Sequence, residues 1–327
     1  MTLVNNKSQF TNHFNFSTVV IVTISIAFAW MISSGLYGYG NDYYSSYYKP
    51  NINWGGLFDR LGWILSTLTI NGVHLGIQIV TFLLALSVGF LLREHIKFKQ
   101  SYSLIFFLLL YVIAIHTWPI IMSTTNAMRQ GLSMSFIFIA FVAGSRKSFY
   151  WMLLYTIFAI FTHKSGLILS AVVVFAYIMN NFLLSFAYSS KTVLNFLIGI
   201  ILLILSYFFI QFLGLEDGGK PSKIIGGDFR AAFIFIGVIY VSLSFFYKKI
   251  LDNSFNLSLY YFSFVAPALL MNGLNWEYER LGMMMLIPYI LSFGNLLNRY
   301  SYQIYLLLIF LLLLLLTVIT GMYASFK

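Results

Sequence analysis

Uninterrupted apolar runs recur along the chain and decide what it can fold into. Val19 to Ile32, Ile198 to Ile210 and Tyr305 to Thr317 are continuous rather than alternating. In a bilayer such runs span as helices, which satisfy every backbone hydrogen bond internally. A transmembrane β-barrel needs apolar and polar residues in alternation and is excluded. Sixty per cent of residues are hydrophobic, 9% are charged, and mean hydropathy is +0.86. The chain therefore reads as an all-α polytopic integral membrane protein. Its 327 residues form a single transmembrane domain, 1–327, with no sizeable soluble part. The outer loops 38–73 and 214–230 are expected to line any site.

The net charge of +10 is spread over short loops. It reads as topology and contact with membrane lipid, not as nucleic-acid binding. The chain has no cysteine, which removes thiol catalysis, disulfides and thiolate metal sites. The scattered histidines form no metal pattern, so no metal and no cofactor is expected.

About eleven spans are expected, near 17–37, 74–92, 101–118, 120–144, 148–162, 166–187, 192–213, 231–247, 255–274, 281–298 and 302–324. The first is preceded by a polar stretch and followed by no small-residue cleavage site, so it is read as a retained span. Gly55 to Ile70 differs. Leu57, Leu61, Ile64 and Leu68 recur at helical spacing there, as in an interfacial amphipathic helix within the first outer loop. With the N-terminus inside, ten basic and two acidic residues fall in the cytoplasm, leaving nine basic and seven acidic residues outside. The inside clusters sit in short loops flush with helix ends, where this bias acts most strongly. The expected location is a bacterial cytoplasmic (inner) membrane, with a site facing outward.

Four groups stand apart. Arg129 precedes Arg146 by 17 residues, His163 follows Lys147 by 16, Arg230 precedes Lys248 by 18, and Arg280 precedes Arg299 by 19. At ~1.5 Å per residue each lies roughly 24–28 Å from the cytoplasmic boundary. That depth is at or just under the outer interface of a ~30 Å core. Four such groups at one level fit an anionic ligand in the outer leaflet.

Each group has its own context. Arg129 lies in Asn126-Ala127-Met128-Arg129-Gln130, read as mid-segment between Pro119 and a run reaching Ala143; an arginine there must face protein or water. Its planar fork matches pyrophosphate oxygens. The Thr162-His163-Lys164-Ser165-Gly166 turn follows a short apolar segment, so it is expected to dip below the interface or line a cavity. A histidine there serves as general base or phosphate ligand, or simply caps a turn. Arg280 follows Glu277 and Glu279, which can steady it, supply a base, or merely complement a helix dipole. Arg230 ends a basic loop that leads into a helix. Gly214 to Lys220 nearly matches a phosphate-binding P-loop, but Pro221 replaces the required hydroxyl and no strand precedes it, so nucleotide binding is rejected. In the first outer loop Tyr37, Tyr39, Tyr43, Tyr44, Tyr47 and Tyr48 surround Asn41-Asp42, a surface that suits sugar rings as well as a membrane interface.

Three short motifs come in a familiar order: Asn41-Asp42-Tyr43-Tyr44, then Met128-Arg129-Gln130-Gly131, then Phe161-Thr162-His163-Lys164-Ser165-Gly166-Leu167-Ile168. With the late Arg280 and the span holding Pro288 and Tyr289, the chain resembles EpsG-type, Wzy-like polysaccharide polymerases over roughly residues 35–290. It departs from that pattern at Gly131, at Thr162 and at Lys164. The resemblance implies a GT-C-like membrane glycosyltransferase architecture. It implies transfer of a growing glycan from undecaprenyl pyrophosphate to the non-reducing end of another lipid-linked repeat unit, on the outer face of the membrane. The partners it implies are the undecaprenyl-pyrophosphate-linked oligosaccharide and a chain-length-regulating co-polymerase. On this reading Arg129, His163 and Asp42 are the catalytic candidates, and Arg230, Arg280, Lys164, Glu277 and Tyr43 the substrate-binding ones.

Two other readings remain open at this point. A flippase for lipid-linked oligosaccharides would carry ionisable groups near the midplane, often on paired halves. An O-antigen ligase shares the pyrophosphate donor and differs in the acceptor.

Overall fold

The computed structural model describes residues 4–36, 38–39, 43–48, 60–71, 73–96, 102–212, 229–271, 275–297 and 307–315. Twelve helices are named along this length. They are α1 (Val4–Ser33), α2 (Arg60–Ser66), α3 (Gly76–His95), α4 (Tyr102–Ile115), α5 (Trp118–Thr125), α6 (Met128–Ser145), α7 (Phe149–Thr162), α8 (Lys164–Phe182), α9 (Tyr188–Phe212), α10 (Phe229–Ser244), α11 (Ser254–Met271) and α12 (Asn275–Leu297). A further helical stretch covers 307–315. After α2 a small hairpin pairs Thr69 with His74 and Ile70 with Val73; these are β1 (Thr69–Ile70) and β2 (Val73–His74).

This is an all-α membrane protein. Among the described residues five helices are long and apolar enough to cross a bilayer: 16–33, 76–95, 128–145, 164–185 and 188–212. A sixth span forms if α4 and α5, bent by 53° at their junction, count as one broken crossing.

The interior is mainly apolar and is tied by buried polar side chains, which serve as glue between helices where lipid tails are as apolar as the helix faces. Tyr111 of α4 donates to Ala85 O of α3 at 3.0 Å and meets Ser25 of α1 at 2.8 Å. Tyr240 of α10 meets Ser292 of α12 at 2.6 Å, and Ser292 donates to Asn256 of α11 at 2.8 Å. Tyr261 of α11 donates to Asn195 of α9.

One end of the bundle collects ion pairs. Arg146 beyond α6 contacts Glu94 of α3 at 2.7 Å, and Lys191 of α9 contacts Asp252 at 3.1 Å. The same end gathers the last residues of α8 and α10. Tyr177 donates to Lys147 O at 3.4 Å, and Tyr188 donates to Ser244 O at 2.6 Å. Ser292, late in α12, sits beside Asn256, early in α11. So α6, α8, α10 and α12 all finish at this end and all begin at the opposite one. Each contributes the positive pole of its dipole there.

Two local expectations change. The 120–144 span is two pieces, because after the bend just before Pro119, which sits inside the first turn of α5, the chain breaks again at Asn126 and Ala127. The break lets α5 fold back on α6, where a side chain at Gly131 would strike Ser123 O. Arg129 therefore opens a helix instead of interrupting one. The amphipathic stretch is also shorter: α2 covers only Arg60–Ser66, the chain is extended by Thr69, and residues 51–59 lie outside the described residues. Its buried face is Gly62 and Ser66, while Ile64 of the apolar stripe is 45% exposed.

Candidate active site where two helix starts meet

His163 is set by the sequence around it. Apolar α7 ends at Thr162, whose hydroxyl donates back to Phe158 O at 2.6 Å. His163 then adopts an extended backbone, φ −162° and ψ 145°, and caps α8 with its own ring. The Ser165 backbone N–H donates to its Nδ1 at 3.2 Å, and the Ser165 hydroxyl lies 2.7 Å from the same atom. A backbone N–H can only donate, so Nδ1 accepts, and the neutral ring carries its proton on Nε2. His163 is 8% exposed. Lys164, half-buried, is the first residue of α8.

Small residues make this turn a meeting point. A side chain at Gly166 would strike Ala159 O, which also accepts from Ser133 of α6 at 3.0 Å. A side chain at Gly62 of α2 would strike Thr162 O and come within 3.3 Å of Arg129 Cγ. Thus α2, the start of α6 and the α7–α8 turn lie against one another.

Arg129, the second residue of α6, places its guanidinium carbon 4.1 Å from the centre of the Trp63 ring. At that distance the ring face attracts the cation. Trp63 continues into an aromatic group. Tyr47 lies 5.7 Å from it, and Tyr43 packs on Tyr39 at 4.5 Å and edge-on to His74 at 5.3 Å. Burial raises the Tyr39 and Tyr43 hydroxyl pKa values, with neighbouring tyrosines adding to it. Burial lowers that of His74, partly offset by hydrogen bonds with the Ser66 and Tyr47 backbone.

The structure thus brings Arg129 and His163 together through α2. Tyr43 is 6% exposed inside the aromatic group, whereas Tyr44 and Tyr48 are exposed. Arg230 is the second residue of α10; Glu277 and Arg280 are the third and sixth of α12. These three begin helices that start at the same end as α6 and α8, and their side chains lie outside the described residues. Asp42 also lies outside them. Trp63 and Gly62 were not foreseen as site residues. A tryptophan followed 66 residues later by an isolated arginine carries no local signal of a contact.

The fold and site define a class: a polytopic helical membrane protein that gathers helix N-termini, an arginine held on an aromatic ring and a capping histidine at one end. Within that class the chain belongs to the EpsG family, whose model matches residues 14–326. No curated protein and no solved structure matches it. Membership points to a membrane enzyme of polysaccharide synthesis, a polymerase of glycosyltransferase type.

Proposed function

We propose that the chain is a polysaccharide polymerase acting on undecaprenyl-pyrophosphate-linked repeat units at the outer face of the cytoplasmic membrane. In each cycle the bond between the anomeric carbon and the pyrophosphate oxygen breaks. A bond from that carbon to a hydroxyl at the non-reducing end of the next unit forms. The hydroxyl proton passes to a base, and undecaprenyl pyrophosphate leaves carrying the new charge.

The observation that carries this reading is the convergence of Arg129, Trp63 and His163 on the starts of α6 and α8. Charge develops on the leaving pyrophosphate, and donors already fixed where it develops lower the barrier most. Arg129 supplies a planar fork held by Trp63. The α6 and α8 N-termini supply backbone N–H groups and positive dipole ends. His163 offers Nε2–H to a phosphate oxygen, because Nδ1 is engaged by Ser165. Arg230, Arg280 and Lys164 complete the cationic ring in this reading, Glu277 steadies Arg280, and Asp42 is the sugar ligand or base. A GT-C-like arrangement of about eleven spans, N-terminus inside, would put this end outward.

The test is the length distribution of surface polysaccharide in a deletion strain, complemented by wild type, Arg129→Ala or His163→Ala at matched expression. Single repeat units on the lipid anchor, extended only by the wild-type gene, support the reading. Lipid-linked units trapped inside the cell would show a flippase, and full-length ladders from both variants would refute the site.

A further inference from the structure

Gln130, the third residue of α6, stands beside Arg129 and is 1% exposed. Among the described residues neither its Oε1 nor its Nε2 has a hydrogen-bond partner. A buried amide without partners is costly, and methionine of nearly the same shape would fill the space without that cost. Structural economy alone therefore does not explain a glutamine here.

The rest of the helix shows where the amide is directed. Gly131 turns toward α5 at Ser123, and Ser133 toward α7 at Ala159. Gln130 shares its face with Ile137 and Phe141, and Phe141 meets Phe255 of α11 at 5.3 Å. The amide thus lies on the helix face that carries Ile137 and Phe141, at the end of the bundle where Arg129 and His163 stand. An arginine only donates hydrogen bonds, whereas a primary amide donates and accepts. That pair of capacities complements a sugar hydroxyl or acetamido group, which also donates and accepts; a phosphate at neutral pH chiefly accepts.

We propose that Gln130 recognises the sugar joined to the pyrophosphate, hydrogen-bonding its hydroxyl or acetamido group while Arg129 holds the phosphates. The assignment rests on the reading of the substrate as a lipid-linked glycan. It makes Gln130 a specificity-determining residue at the reducing end of the donor.

The experiment uses the full chain in nanodiscs, as wild type and as Gln130→Met. Thermal unfolding is followed while titrating undecaprenyl pyrophosphate alone, and then the lipid-linked repeat unit isolated from a strain lacking this gene. The expected result is that Gln130→Met unfolds at or above the wild-type temperature and binds the bare lipid as wild type does. Its affinity for the sugar-bearing lipid falls by about tenfold, the effect of one lost hydrogen bond. Unchanged affinity for the sugar-bearing lipid overturns the assignment. Equal losses for both lipids put the amide on phosphate and overturn it as well. An unfolding temperature well below wild type marks a structural amide, with the same consequence. Wild type that binds neither lipid removes the polymerase reading itself, and this assignment with it.

Discussion

Gly62→Ala tests whether the site is held by close approach of α2 to the α7–α8 turn. The added methyl would collide with Thr162 O and sit 3.3 Å from Arg129 Cγ. Carbon and oxygen ordinarily approach to ~3.3–3.6 Å, so α2 must retreat by on the order of 1 Å. If α2 stays, overpacking costs about 1–3 kcal/mol. If it moves, Trp63 leaves the 4.1 Å contact with Arg129, forfeiting ~1–2 kcal/mol for a partly desolvated cation–π pair. The first route lowers fold stability; the second would weaken the proposed hold on a pyrophosphate by about tenfold, since ~1.4 kcal/mol is one decade. The assay is polymer length at matched expression, together with thermal unfolding of the purified protein, for Gly62→Ala, Trp63→Leu and the double variant. Retreat of α2 makes the two changes overlap, so the double variant is little worse than either single one. A Gly62→Ala protein with wild-type polymer and an unchanged unfolding temperature would refute the close-approach argument. Fully additive losses would refute the route through Trp63.

Arg129→Lys keeps the charge and loses the planar fork and ring stacking; polymer is expected to shorten sharply while the protein accumulates normally, as read on a glycan ladder. His163→Asn preserves an N-cap for Ser165, so unfolding should stay within about 0.5 kcal/mol of wild type while polymerisation is lost; His163→Ala should lose polymerisation and ~1 kcal/mol of stability besides. His74 has its folded pKa below the ordinary 6.5 because burial disfavours the cation. The folded hairpin then binds fewer protons than the unfolded one, so its stability is complete above about pH 6.5 and declines as pH falls toward the lowered value. Hydrogen exchange of residues 69–76 should therefore quicken at pH 5.5 relative to pH 7.5 after correction for intrinsic rates, and His74→Gln should abolish the difference.

Arg129 and His163 could be singled out as candidates because charge and imidazole within apolar sequence are expensive, and such expense is a reason to propose function. The turn between α7 and α8 was legible because the apolar run before it is short. Trp63 and Gln130 were not. The docking face of α2 is made of Gly62 and Ser66, two small residues that add almost nothing to an apolar stripe, so the helix read as facing lipid. Gln130 carries no charge, and its cost appears only once its burial is known. The break at Asn126 and Ala127 escaped because Pro119 is the obvious punctuation; proline is at home in a first helical turn, and that is where it lies. That the Arg230, Glu277 and Arg280 positions share one end was legible from spacing alone, since alternate spans of similar length must start on the same side.

The short α7 has a consequence for the membrane itself. Its 14 residues give about 21 Å of helix against a ~30 Å hydrocarbon core. Tyr150, Trp151, Ile157 and Phe158 on it are exposed, so in the proposed eleven-span arrangement lipid tails would meet this short helix directly. Hydrophobic mismatch of that size, at fractions of a kcal/mol per Å, amounts to a few kcal/mol of pressure on the surrounding leaflets to thin. Headgroups beside α7 would ride down toward the level of His163. A lipid carrier arriving along this flank would then meet the cations without being lifted from the bilayer, and the working rate would vary with acyl-chain length.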